Sequence, residues 1–96
     1  MGLKQSYIPI LRQFRAERGD EYGIARMALF GSVARGDEKP DSDVDLLVEF
    51  SRPVGIEFID LGNLLEKILG RRVDIVSRGG IKEKYFQEIK KDMVYV

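Results

Sequence analysis

The chain has 96 residues, 44% of them hydrophobic and 33% charged, with 16 basic side chains balanced by 16 acidic ones. That length predicts one domain spanning residues 1–96, because two smaller cores could not offset their ordering entropy, and the charge balance argues against direct binding to a nucleic-acid backbone. There is no Cys and no His, which excludes disulfides, thiolate chemistry, Cys/His zinc sites and histidine acid-base catalysis, and leaves any metal to oxygen ligands.

The opening MGLKQSYIPI lacks the continuous apolar centre of a secretory signal, and no apolar run further on is long enough to span a bilayer, so a cytoplasmic protein without membrane segments is expected. Tyr7, Leu11 and Phe14 recur at helical spacing. They predict an amphipathic helix with Ser6 as its cap, Pro9 in its first turn and Gly19 just past its end. The short apolar run Ile24 to Phe30 stops at a Gly-Ser pair and reads as a buried strand. Gly31 to Asp37 then opens a short helix, and Lys39-Pro40-Asp41-Ser42 is a loop.

Asp43 to Phe50 reads as the second strand. After the breakers Pro53 and Gly55, Phe58, Leu61, Leu65 and Ile68 form a helical stripe that Gly70 ends. Val73 to Val76 is a third strand, and Ile81 to about Lys91 a last helix. The tail Met93 to Val96 is β-prone and suits a partner contact, an edge strand or a core plug. The fold class expected is α/β (α+β): a small mixed sheet of about three strands flanked by helices, in the order αβαβαβα.

Charge is uneven along this order. Between Gly36 and Phe50 six acids stand against one Lys. Within that stretch Asp43-Val44-Asp45 opens a strand, and residues two apart in a strand share a face, which sets two carboxylates side by side. A hard divalent cation such as Mg²⁺ relieves the repulsion of such a pair. Asp74 interrupts an otherwise apolar strand, and all three acids meet if the second and third strands are neighbours. Any one of them, by itself, fits a solvated strand end. A calcium-binding helix-loop-helix loop starting at Asp41 fails, because its turn-making Gly position is Leu46 and its bidentate Glu position is Arg52.

Gly31-Ser32-Val33-Ala34-Arg35-Gly36 follows the first strand where a helix begins. Backbone N–H groups at Gly31, the Ser32 hydroxyl and the Arg35 guanidinium can together hold an anion. Alone, this stretch reads better as a plain capping turn, and no Gly-Lys-Ser/Thr follows to make it a P-loop. Anion donors ten residues ahead of a carboxylate pair suit a site that bridges a polyphosphate and divalent metals, for transfer at phosphorus.

Gly31-Ser32, ten residues, Asp43-Val44-Asp45 and a later Asp74 resemble the signature of the nucleotidyltransferase superfamily that contains DNA polymerase β. The wider stretches Leu29 to Gly36 and Ser42 to Val48 resemble its smallest branch, the minimal nucleotidyltransferases, often antitoxins to HEPN-domain toxins. The resemblance implies a polymerase β palm-like fold, with Gly31, Ser32 and Arg35 on the triphosphate of ATP. It implies that Asp43 and Asp45 ligate two magnesium ions, and that Asp74 ligates the catalytic ion and helps take the acceptor's proton. It further implies AMP transfer to a hydroxyl, typically tyrosine, of a HEPN toxin, as in a type VII-like toxin-antitoxin pair. Two alternatives stay open: a binding module that neutralises its partner by occlusion, and an antibiotic-modifying transferase, for which so short a chain offers little acceptor pocket. Both a homo-oligomer and a hetero-oligomer remain compatible with the sequence.

Overall fold

The computed structural model describes residues 2–96 and runs α1 (Leu3–Arg18), β1 (Ile24–Phe30), α2 (Gly31–Arg35), β2 (Val44–Phe50), α3 (Ile56–Leu69), β3 (Val73–Ser77), α4 (Glu83–Ile89) and β4 (Val94–Tyr95). Short 3₁₀ turns at Gly19–Tyr22 and Arg78–Gly80 lead into β1 and follow β3. The strands form one mixed sheet in the order β3-β2-β1-β4. β1 is antiparallel to β2 and β4, whereas β2 and β3 are parallel. The parallel pair needs a crossover, and α3 supplies it.

Strand alternation divides the core between the two faces of the sheet. On one face Met27 and Leu29 of β1 and Val44, Leu46 and Val48 of β2 meet Tyr7, Leu11 and Phe14 of α1 and Leu61, Leu65 and Leu69 of α3. On the other, Ala28, Phe30 and Leu47 pack against Ile89 of α4, with Val76, Phe86 and Met93 around them. Two long helices cover the first face and one short helix the second. The second face therefore stays open where β1 ends and β2 and β3 begin.

Several local expectations change. Helix α1 starts at Leu3, so Ser6 is not a cap and Pro9 lies in the second turn. The Leu3 N–H donates to Glu38 Oε1 at 3.1 Å, so a distant carboxylate does the work a local cap does in isolated helices. On α3 the buried stripe is Leu61, Leu65 and Leu69, while Ile68 is 40% exposed. The Tyr7 hydroxyl donates to the Leu69 carbonyl at 3.1 Å, which holds that end of α3 against α1. The sheet has a fourth strand because the tail pairs with β1, Val96 N donating to Met27 O at 2.9 Å, and Val96 enters the core at 8% exposure. Edge strand and core plug are thus both correct for the tail. Among the described residues no helix is long and apolar enough to cross a membrane.

Candidate active site

Strand pairing places the acids. Asp45 is the second residue of β2, and its partners are Phe30 at the end of β1 and Asp74 in β3. Paired residues share a face, so Asp45 and Asp74 lie side by side on the face that α4 leaves open. Asp43 precedes β2 by one residue rather than opening it. It is still held near the sheet, because Val44 N donates to Arg72 O at 2.9 Å and continues the β2–β3 pairing to their starts.

Burial and neighbouring charge act on this corner together. The Asp45 carboxyl is pushed up to about 6, first by burial and then by Asp74 and Asp43, with Arg35 pulling the other way. Asp43 is drawn aside by Arg72, whose Nε donates to Asp43 Oδ1 at 3.1 Å. Asp74 is exposed. Among the described residues no three acids are gathered into a ready-made metal cage. Mutual repulsion and the Arg72 pair both work against such a cage without a cation present. The three residues line different hollows: Asp45 a cleft with Gly31 and Ser32, Asp43 a hollow with Arg71 and Arg72, and Asp74 one beside α3. As a donor set they fit magnesium, being hard oxygen ligands of like charge at one corner.

The Gly31 turn is bound to this corner by sterics. Gly31 has φ 77°, a left-handed conformation that favours glycine, and a Cβ there would collide with the Asp45 carboxylate. The Gly31 turn and the acid therefore touch only because residue 31 has no side chain. Ser32 follows at the start of α2, which is closed by Gly36 N and Asp37 N donating to Ser32 O at 2.9 and 3.0 Å. Gly31, Ser32, Arg35 and Asp45 all line one cleft of about 430 Å³, whose far wall is Tyr85, Glu88 and Ile89 of α4 with Asp92 beyond it. Arg35 pairs with Asp37 at 3.1 Å and Asp92 at 3.4 Å across the mouth of the cleft. Pairs this exposed are worth little, so an incoming phosphate can take the guanidinium from them.

Three residues with a part in this geometry carry no signal in the sequence. Arg71 Nη1 donates to the carbonyls of Pro40 and Ser42, each at 2.9 Å, and so braces the loop that delivers Asp43. Arg72 holds Asp43 itself, and Tyr85 lines the same cleft as Gly31. The Arg71-Arg72 pair has no local pattern to mark it, and Tyr85 reads as one more polar-face residue of a short helix.

A sheet with three acids at one corner, fed by a Gly-Ser turn, defines a nucleotide-handling enzyme, and comparison with known proteins gives the class. Residues 11–96 match the model of the nucleotidyltransferase domain. The chain belongs to this family and is a nucleotidyltransferase. It is 39% identical over 88 residues to the protein adenylyltransferase MntA of Thermococcus cleftensis, covering 91% of this chain and 89% of that one. It is 40% identical over 91 residues to MJ1379 of Methanocaldococcus jannaschii, provisionally named a protein adenylyltransferase, covering 91% of both. Among solved structures, one provisionally titled a minimal nucleotidyltransferase superposes with TM-score 0.80 at 34% identity, covering 98% of this chain and 95% of that one. A toxin-antitoxin structure with AMP-PNP shares the fold, with TM-score 0.71 at 22% identity over 90% of this chain and 68% of that one.

Proposed function

We propose that residues 1–96 form one minimal transferase domain that moves AMP from ATP to a hydroxyl of a partner protein in the cytoplasm, silencing a HEPN-domain toxin as its antitoxin. The observation that carries the reading is the pairing of Asp45 with Asp74 on adjoining strands, with Asp45 packed against Gly31, where a Cβ would collide with its carboxylate. Relatives named as protein adenylyltransferases support the choice of a protein acceptor.

In this reading the Gly31 backbone and the Ser32 hydroxyl bind the triphosphate, and Arg35 leaves Asp37 and Asp92 to join them. Asp43, Asp45 and Asp74 would hold Mg²⁺, two ions in all, which when bound offset the charge of acids and polyphosphate and stabilise the attacking and leaving oxygens. Asp74, exposed to solvent, would also help take the proton of the acceptor hydroxyl. That oxygen bonds to the α-phosphorus, the bond from phosphorus to the bridging oxygen of the β-phosphate breaks, and pyrophosphate leaves. Residues on the cleft's open side contribute little enclosure, and the acceptor surface comes from the partner.

Calorimetric titration with Mg²⁺ and ATP tests the site. The native chain should bind, and Asp43→Asn combined with Asp45→Asn should lose Mg²⁺-dependent binding. Unchanged binding in that double variant would remove the metal-site assignment. Loss of triphosphate affinity in Ser32→Ala is expected in the same assay.

A further inference from the structure

We infer that the ring of Tyr85 is the stacking platform for the nucleobase of the donor nucleotide, an assignment that rests on the proposed transferase site. The cleft of about 430 Å³ is in the size range of single-ligand sites. One end is the Gly31-Ser32 turn, and the far wall is α4. The cleft has two aromatic residues on its lining. Phe30 is 4% exposed and belongs to the core, whereas Tyr85 is 47% exposed.

The position of Tyr85 follows from how α4 divides its two faces. Phe86 packs inward with Ile89 against Ala28 and Leu47, and the Arg78 guanidinium lies 3.8 Å from the centre of its ring. Tyr85, Glu88 and Ile89 fall at positions i, i+3 and i+4 of α4, so they form one stripe along the cleft, and Asp92 follows in the turn after it. Burial of the sheet does not require an aromatic at 85, since Phe86 and Ile89 already meet that need. A flat, partly solvated ring facing a phosphate-binding turn is the contact a nucleobase uses, and stacking accepts any base.

Charge sets the direction of the nucleotide along the cleft. Glu88 lies on α4, and an ionised carboxylate repels phosphate and accepts hydrogen bonds from ribose hydroxyls or base amines. Arg35 closes the helix that Gly31 opens, and its pair with Asp92 at 3.4 Å offsets that carboxylate's charge. A nucleotide is thus oriented with its triphosphate at Gly31 and Ser32 and its base over Tyr85.

Calorimetry on the full chain with two probes, Mg²⁺-ATP and Mg²⁺-tripolyphosphate, separates base from phosphate contacts. Tyr85→Ala should weaken ATP roughly fivefold to a hundredfold, the range set by one base-aromatic stack, and leave tripolyphosphate unchanged. Tyr85→Phe should keep native ATP affinity, because the ring face and not the hydroxyl makes the contact. Native ATP affinity in Tyr85→Ala overturns the inference, and if Ser32→Ala still weakens both probes the transferase site itself stands. Equal weakening of both probes by Tyr85→Ala also overturns it, as does a Tyr85→Phe loss as large as that of Tyr85→Ala. A native chain that binds neither probe overturns the transferase site and this inference together.

Discussion

At the scale of single residues, Asp45 is where function and stability oppose each other. Its carboxyl is raised from 3.8 to about 6, so the folded protein holds a proton that the unfolded chain has already released. The stabilising contribution is complete below the unfolded value and is lost as pH rises through about 6. The metal-free protein should therefore melt at progressively lower temperature as pH rises through that window, and Asp45→Asn should flatten the slope and raise the melting temperature at neutral pH while abolishing transfer. Thermal melts across pH check this, and a native profile that rises over the same window would contradict it. Mg²⁺ affinity should climb over the same interval, because the cation competes with that proton. Gly31→Ala should cost at least about 1–2 kcal/mol from its left-handed backbone alone, with the Asp45 collision added, and urea unfolding measures it. Asp43, Asp45, Asp74, Gly31, Ser32 and Arg35 were all legible as candidates from spacing and residue type. The collision that makes any side chain costly at Gly31 was not, since it depends on a partner fourteen positions away that only strand pairing brings close.

At the scale of elements, the loop before β2 is held by side chains rather than by its own sequence. Arg71 spans from the end of α3 to the carbonyls of Pro40 and Ser42, and Lys39 N donates to Ser42 Oγ at 2.9 Å within the loop. Arg71→Ala should weaken Mg²⁺-dependent ATP binding several-fold, through the freed loop, with little change in melting temperature. Arg71→Lys should recover part of the loss, because both short contacts come from one nitrogen. Calorimetry paired with thermal melts checks both variants, and an unchanged affinity in Arg71→Ala would mean the loop does not need its brace. At α1 the expected outcome is the reverse. Glu38→Ala removes the acceptor for the Leu3 N–H and should cost about 1 kcal/mol of stability without touching nucleotide affinity. The elements themselves were mostly visible in the sequence, because periodicity and glycine breaks mark β1, α3 and β3 plainly. What escaped was set by distant partners: the early start of α1 at Leu3 against Glu38, the turn of the α3 stripe to Leu69 and the pairing of β4 with β1.

At the scale of the molecule, one sheet carries unequal cover on its two faces, and that inequality makes the site. The face under α1 and α3 is closed and apolar, while α4 leaves the acid corner and the Gly31 turn open to solvent. An open corner of this kind admits a large acceptor, and the chain itself encloses little of the cleft. A protein hydroxyl presented by a partner suits that geometry better than a small free acceptor, which would need walls the cleft does not have. Occlusion without chemistry is the competing account, and it gives no reason for Asp45 to keep a charge that costs stability at neutral pH.

The most direct test is the intact mass of the protein encoded beside this chain, after incubation with the chain, Mg²⁺ and ATP, with the Asp43→Asn, Asp45→Asn variant as control. A gain of one or more AMP units with the native chain, and none with the variant, is the predicted result. An unmodified neighbour that is nonetheless bound and inhibited would contradict the account and assign its neutralisation to occlusion.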